Sequence, residues 1–248
     1  MSKRSALFLV ALALAAAVPA GAEGLEGRFT LAVQGGLDSE ISGTVLSPVN
    51  GTLFELPVVI DQRSWRETFE PGRPGGPGQM RAQILLGYGV TQSGEIIARG
   101  SYYQMESPGI QVGTVAGDPL FAFLDPYEEW GVEIGYRFYL SSQARMKSYV
   151  APVAGARFLD RVLLGLQAPD RGSSISNIPH FKASTVATFG VDLGFSIDLT
   201  DSFYLGLEAL LRYQTRPVAG TTAPGLNGIN DDGTRWSAPV VLTVGVRF

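Results

Sequence analysis

Alternation of apolar and polar residues, renewed eight times along the chain, is the feature that most narrows what this sequence can fold into. Past residue 22 no helical period is sustained, whereas a period of two keeps returning. The first segment alternates Phe29, Leu31 and Val33 with Arg28, Thr30 and Gln34. The second sets Ile84, Leu86, Tyr88 and Val90 against Arg81, Gln83, Gly87 and Gly89. The third places Ile96, Ala98 and Tyr102 opposite Glu95, Arg99 and Ser101. The fourth sets Trp130, Val132, Ile134, Tyr136 and Phe138 against Glu129, Glu133 and Arg137. The fifth, 147–158, is the weakest, because both faces are fairly apolar and Pro152 interrupts it; Lys147 and Arg157 share a parity there. The sixth, 184–198, opposes Phe189, Val191, Leu193 and Phe195 to Thr188, Asp192 and Asp198. The seventh, 203–214, opposes Phe203, Leu205, Leu207, Leu211 and Tyr213 to Glu208 and Arg212. The last, 235–248, opposes Trp236, Val240, Leu242, Val244 and Phe248 to Arg235, Thr243 and Arg247.

Alternation alone does not say which face points outward. A soluble ligand-binding barrel turns its apolar face inward, and a membrane barrel turns it to lipid. Three features favour the second arrangement. The polar face carries Arg, Glu, Asp and many glycines, which leaves no coherent apolar set to fill a small core. The apolar face is aromatic mainly at its ends, as interfacial belts require. With a periplasmic N-terminus, one rim collects Phe29, Tyr88, Tyr136, Phe138, Phe195, Phe203 and Phe248. The other rim collects Tyr102, Trp130, Tyr213 and Trp236. Connection lengths alternate too: 91–94, 141–145 and 199–202 are short turns, while 37–79, 106–128, 159–181 and 215–235 are long external loops. The expected fold class is therefore all-β, an eight-stranded antiparallel transmembrane up-and-down barrel, closed because no backbone polar group can stay unpaired in hydrocarbon.

The N-terminus supplies an address. Lys3 and Arg4 precede an apolar run over 6–18 and then Pro19-Ala20-Gly21-Ala22, the layout of a signal peptide over 1–22, with the barrel occupying 23–248. The apolar run is shorter than the roughly 20 residues of a spanning helix. The chain has no Cys, which removes disulfides, thiolate chemistry and lipoprotein processing. A net charge of −4 with no basic block gives no reason to expect a nucleic-acid partner.

These segments resemble the small eight-stranded outer-membrane barrels of Gram-negative bacteria, of the outer membrane protein A, X and W type. The resemblance rests on Trp130-Gly131-Val132-Glu133-Ile134-Gly135-Tyr136-Arg137-Phe138 and the closing Val240-Val241-Leu242-Thr243-Val244-Gly245-Val246-Arg247-Phe248. It implies residence in the outer-membrane lipid of the cell. It also implies that the terminal aromatic Phe248 is read by the barrel-assembly machinery. A peptidoglycan-binding domain is not implied.

Three groups of residues are candidates for chemistry. The polar parity puts Arg81, Arg99, Arg137, Arg212 and Arg247 inside with Glu129, Glu133, Asp192 and Glu208, a network that plugs the lumen or gates a narrow pore. The single histidine, His180, lies near serines. Lys182 follows two residues later, where a lipid A deacylase would carry serine, so a solvated loop histidine and no enzyme is the expectation. In the loops, 52–60 is a candidate hairpin and 71–78 a Pro/Gly linker. Leu120-Phe121-Ala122-Phe123-Leu124 and Val162-Leu163-Leu164-Gly165-Leu166 are apolar clusters for partner contact or for resting on the mouth or the lipid. Asn227, Asn230, Asp231 and Asp232 match a calcium loop poorly, because Gly228 stands at its first position; a hydrated turn is expected, and no metal or cofactor. The function these features suggest is structural or surface-interactive, in a monomer that meets a surface ligand or host partner through its loops. A narrow channel is the alternative, and a lipid-modifying enzyme comes third.

Overall fold

The computed structural model describes residues 24–69, 80–141, 144–222 and 225–248. The expected signal peptide and the 71–78 linker lie outside these. The chain opens with β1 (Phe29–Leu37) and then makes a long excursion. That excursion carries β2 (Glu40–Ser42), β3 (Thr44–Leu46), β4 (Val49–Leu53), β5 (Leu56–Ile60), β6 (Arg63–Ser64) and the short helix α1 (Trp65–Phe69). The strands β7 (Met80–Thr91) and β8 (Gly94–Met105) follow as a tight hairpin. Next come β9 (Ile110–Val115) and β10 (Asp118–Leu124), then β11 (Tyr127–Tyr139) and β12 (Met146–Leu159). A third excursion holds β13 (Val162–Ala168) and β14 (Ser173–Phe181) before β15 (Ser184–Asp198) and β16 (Phe203–Gln214). The fourth holds β17 (Arg235–Ser237), and β18 (Val240–Arg247) ends the chain.

Eight of these strands close a barrel in the order β1-β7-β8-β11-β12-β15-β16-β18, every neighbour antiparallel. Closure is made at the chain ends, where Phe29 and Phe248 exchange both backbone hydrogen bonds at 2.7 and 2.9 Å. Seven of the eight alternating segments are each one wall strand, and the last, 235–248, is divided at Ala238-Pro239 into β17 and β18. Closure follows because only a closed wall pairs every N–H and C=O of a strand placed in lipid. The faces sort by parity: Trp130, Ile134 and Leu193 are 61%, 63% and 60% exposed, while Glu129, Glu133 and Asp192 beside them are buried. Pro152 sits inside β12 and does not end it. The ladder to β11 pairs Gly135 with Val153, passes over the two positions opposite Pro152 and Ala151, and resumes at Phe138 and Val150 in the same register. The proline's missing donor is thus confined to one gap on one side of the strand.

The long connections are not open loops. Strands β14-β13-β10-β9-β5-β4 form a six-stranded antiparallel sheet over one end of the barrel. This cap encloses its own apolar core, including Val58, Ile60, Val112, Leu120, Leu164, Leu166, Ile178 and Phe181. The clusters at 120–124 and 162–166 therefore turn most of their leucines into this core. They are β10 and β13, in which Leu120, Leu124, Leu164 and Leu166 point inward at 6% exposure or less, while Leu163 is half-buried and Phe123 is exposed on the other face. The hairpin expected at 52–60 is present as β4 and β5, paired from Val49–Ile60 to Leu53–Leu56.

Candidate functional site

The bore is filled by charge. Eight basic side chains (Arg81, Arg99, Arg137, Lys147, Arg157, Arg212, Arg235 and Arg247) meet eight acidic ones (Asp38, Glu40, Glu95, Glu129, Glu133, Asp192, Asp198 and Glu208). At the short-turn end, Arg247 and Lys147 both bind Asp198, and Arg137 donates to Glu95 at 3.0 Å. In the middle, Arg99 on β8 donates to Asp192 on β15 and to Glu208 on β16, each at 2.9 Å. Glu133 on β11 accepts from Arg157 at 2.5 Å and from Arg212 at 2.9 Å, and Arg99 reaches it at 3.2 Å. At the cap end, Arg81 binds Asp38, while Glu129 accepts from Arg235 at 3.1 Å and from the Tyr127 hydroxyl at 2.9 Å.

Strands β8 and β16 are four places apart in a ring of eight, so the Arg99–Glu208 pair spans the bore from wall to wall. Leaving any of these ions unpaired in so dry a space costs several kcal/mol, and the equal count of the two signs is the solution. The glycines on the polar parity have a packing reason. Gly194 and Gly245 lie directly opposite Tyr149 and Tyr204, and a Cβ at either would stand 2.5 Å from the tyrosine ring. The rings lie flat against the wall in that space, and Arg137 and Arg247 stack over them at 4.3 and 4.1 Å.

The mouth on the cap side is stoppered by α1. Trp65 is buried, donates from Nε1 to the Thr234 carbonyl at 3.2 Å, and meets the rings of Tyr127 and Phe181 at 5.2 and 6.0 Å. Arg235 lies within 5.7 Å of the Trp65, Tyr103 and Tyr127 ring centres, joining the top of the ion network to the base of the cap core.

Each residue predicted for the lumen network is buried and ion-paired: Arg81, Arg99, Glu129, Glu133, Arg137, Asp192, Glu208, Arg212 and Arg247. The predicted network leaves out Arg157 and Arg235, although both stand on the charged parity of their segments, and the sequence analysis has no place inside for Asp38, Glu40 or the inward tyrosines Tyr103, Tyr139, Tyr149 and Tyr204. Parity is the signal that finds the tyrosines, since each falls on the ionic face of its strand. The outward aromatics collect in pairs near the strand ends. Phe29 meets Tyr88 at 4.8 Å and Phe248 at 6.0 Å, and Tyr136 meets Phe138 at 4.4 Å, with Phe195 and Phe203 on the same end. Toward the cap, Tyr102 meets Trp130 at 4.7 Å and Tyr213 meets Trp236 at 5.1 Å.

Two loop expectations are corrected. His180 is not solvated: it is fully buried at the end of β14, its Nε2–H donates to the Val45 carbonyl at 2.8 Å, and Phe181 packs on its ring at 4.4 Å. Burial pushes its pKa down to about 4. The Asn227–Asp232 stretch is a turn with Asn227 and Asp231 exposed, but it is hydrated on one side only. Leu226, Ile229 and Asn230 are buried, and Asn230 donates from Nδ2 to the His180 carbonyl at 2.5 Å. His180 and Asn230 are fifty residues apart, so no local pattern marks their contact.

No helix among the described residues is long and apolar enough to cross a membrane; the crossing elements are strands. Apolar outside, ionic inside and closed on itself, the chain is an eight-stranded antiparallel transmembrane β-barrel. No family model matches it, and none of the curated proteins does. Among solved structures it is similar to the outer membrane protein OprG from Pseudomonas aeruginosa, with 11% identity, a TM-score of 0.45 and coverage of 91% of this chain and 97% of that one. It is also similar to Ail, the attachment invasion locus protein of Yersinia pestis, at 13% identity and a TM-score of 0.39, covering 90% and 99%. Neisserial surface protein A is a third, at 14% identity and a TM-score of 0.37, covering 91% and 100%. At these identities the likeness is one of architecture, and it carries neither ligand nor role to this chain.

Proposed function

We propose that the protein is an ion-tight outer-membrane barrel whose work is done at the cell surface by its folded cap. The single observation that supports this most is the Arg99–Glu208 pair, which crosses the bore between opposite strands while Glu133 binds three arginines at the same level. With the Trp65 stopper above it, that cross-brace favours a structural and surface-binding role over a conduit. The long connections face outward in this reading, and the last strand, ending at Phe248, is the part offered to the barrel-assembly machinery. Completion of the sheet by β1 and β18 supports a monomer. The proposed role is non-enzymatic, and the burial of the His180 ring against the Val45 carbonyl lends no support to a hydrolase.

Planar-bilayer recording on the purified chain tests the proposal. The expected outcome is no stepwise conductance at any applied voltage. Discrete openings in the natural sequence, altered by Glu133→Gln, would replace this reading with a narrow channel.

A further inference from the structure

The fourth connection does more than link β16 to β18. Lys182 donates its backbone N–H to the Val218 carbonyl and Gly220 donates to the His180 carbonyl, both at 2.9 Å, so residues 218–220 lie along the end of β14. Phe181 and Ala219 form the bridge between them. Further on, Gly225 packs against Thr52 on β4, and Ser47 donates to the Ile229 carbonyl at 2.8 Å. Strands β14 and β4 are the two edges of the cap sheet. The connection is therefore a strap across the seam between them, its Leu226 and Ile229 sunk in the cap core.

His180 is the knot of that strap. Its carbonyl accepts from Gly220 N–H and from Asn230 Nδ2, its Nε2–H holds Val45 on β3, and its Nδ1 is buried with no hydrogen-bond partner among the described residues. A second proton has one place to go, Nδ1, and would put a cation where nothing accepts it. The charged side chains on the surrounding elements do not answer it. On the strap, Asp232 is tied to the N–H groups of Gly233 and Thr234, and Arg216 to the Asp231 carbonyl, with Asp231 itself exposed. On β6, Arg63 donates to the Gln111 carbonyl; on α1, Glu67 is held by Ser64; and Lys182, after β14, is exposed. Only burial and the Val45 carbonyl act on the ring.

We infer that the strap is an acid-released seam: protonation of His180 frees residues 216–222 and 225–233 from β14 and β3 and opens both edges of the cap sheet while the barrel stays closed. Opening exposes strand edges, which pair readily with another extended segment.

Amide hydrogen exchange on the full chain in lipid vesicles tests this, with protection factors corrected for the intrinsic effect of pH. Between about pH 7 and about pH 4.5, protection at Gly220 and Lys182 is expected to fall at least roughly tenfold, while amides of β15 and β16 keep theirs. In His180→Gln, which keeps a donor for Val45 and takes no charge, protection is expected to be flat across that range. Unchanged protection in the natural sequence, or an equal loss in the glutamine variant, overturns the inference. Should the variant not fold, the ring decides: His180 is the sole histidine, and an NMR titration midpoint at or above about 6.5 in the natural chain overturns it as well.

Discussion

Two antiparallel sheets, the closed barrel wall and the cap, enclose interiors of opposite character. On β8 the inward set reads Glu95, Ile97, Arg99, Ser101, Tyr103 and Met105, passing from ions to apolar side chains as it nears the cap. From Arg137, Glu133 and Glu129 on β11 the same change runs through Tyr127 to Leu124, Ala122 and Leu120 on β10. The backbone and the pairing rule are the same in both halves, and the outer solvent differs. Where hydrocarbon lies outside, apolar side chains lose nothing by facing it, and the interior takes the polar residues and must satisfy them internally. Where water lies outside, burial of apolar area drives the leucines inward. The tyrosine and tryptophan layer at Tyr103, Tyr127 and Trp65 sits at the boundary because aromatic rings with a polar tip serve both environments.

The comparison breaks hardest at Glu133. Glu133→Ala leaves Arg99, Arg157 and Arg212 short of an acceptor and should cost about 3–5 kcal/mol in urea unfolding from vesicles. A loss under about 1 kcal/mol would mean the bore is wet rather than packed. The converse test puts a charge on the outer face: Leu193→Arg, at a lipid-facing position of β15, should cost about 2–4 kcal/mol, measured the same way. On the cap the lever is pH. Burial holds the His180 pKa down to about 4, below the usual histidine value of about 6.5, so cap stability is full above about pH 6.5 and is lost as pH falls toward 4. At about pH 5 the loss should be about 2 kcal/mol, read as cap exchange rates, with His180→Gln removing it. The smallest expected effect sharpens the boundary itself: a double-mutant cycle on Tyr102 and Trp130 should return about 0.5–1.5 kcal/mol of coupling in lipid.

How legible each half is in the sequence follows from the same contrast. The wall strands carry long alternations with ions on one parity, and from that Arg99, Glu133, Asp192 and Glu208 can be placed inside before any coordinates exist. The cap strands β9, β10 and β13 are six or seven residues long, so their alternation is brief, and a short run such as Leu120–Leu124 reads equally as an exposed cluster. Their burial depends on partners outside each run, from 12 to 57 residues away. Ile110 pairs with Ala122, Leu124 with Leu164, and Val58 with Val115. No local pattern marks His180 as buried, because Val45 and Asn230, which bind it, lie far from it along the chain. Arg157 is visible by parity yet obscured by the apolar neighbours of β12, and the inward tyrosines are hard to read because an aromatic suits a lipid-facing belt as well as a packed bore.

The reciprocal bonds between Phe29 and Phe248 carry a consequence for biogenesis. Residues more than two hundred positions apart must meet before either margin of the wall is satisfied. Until translation has delivered β18, seven strands would confront acyl chains with two raw borders, so sealing is an all-or-nothing terminal event and any nascent intermediate needs a chaperoned, aqueous waiting room.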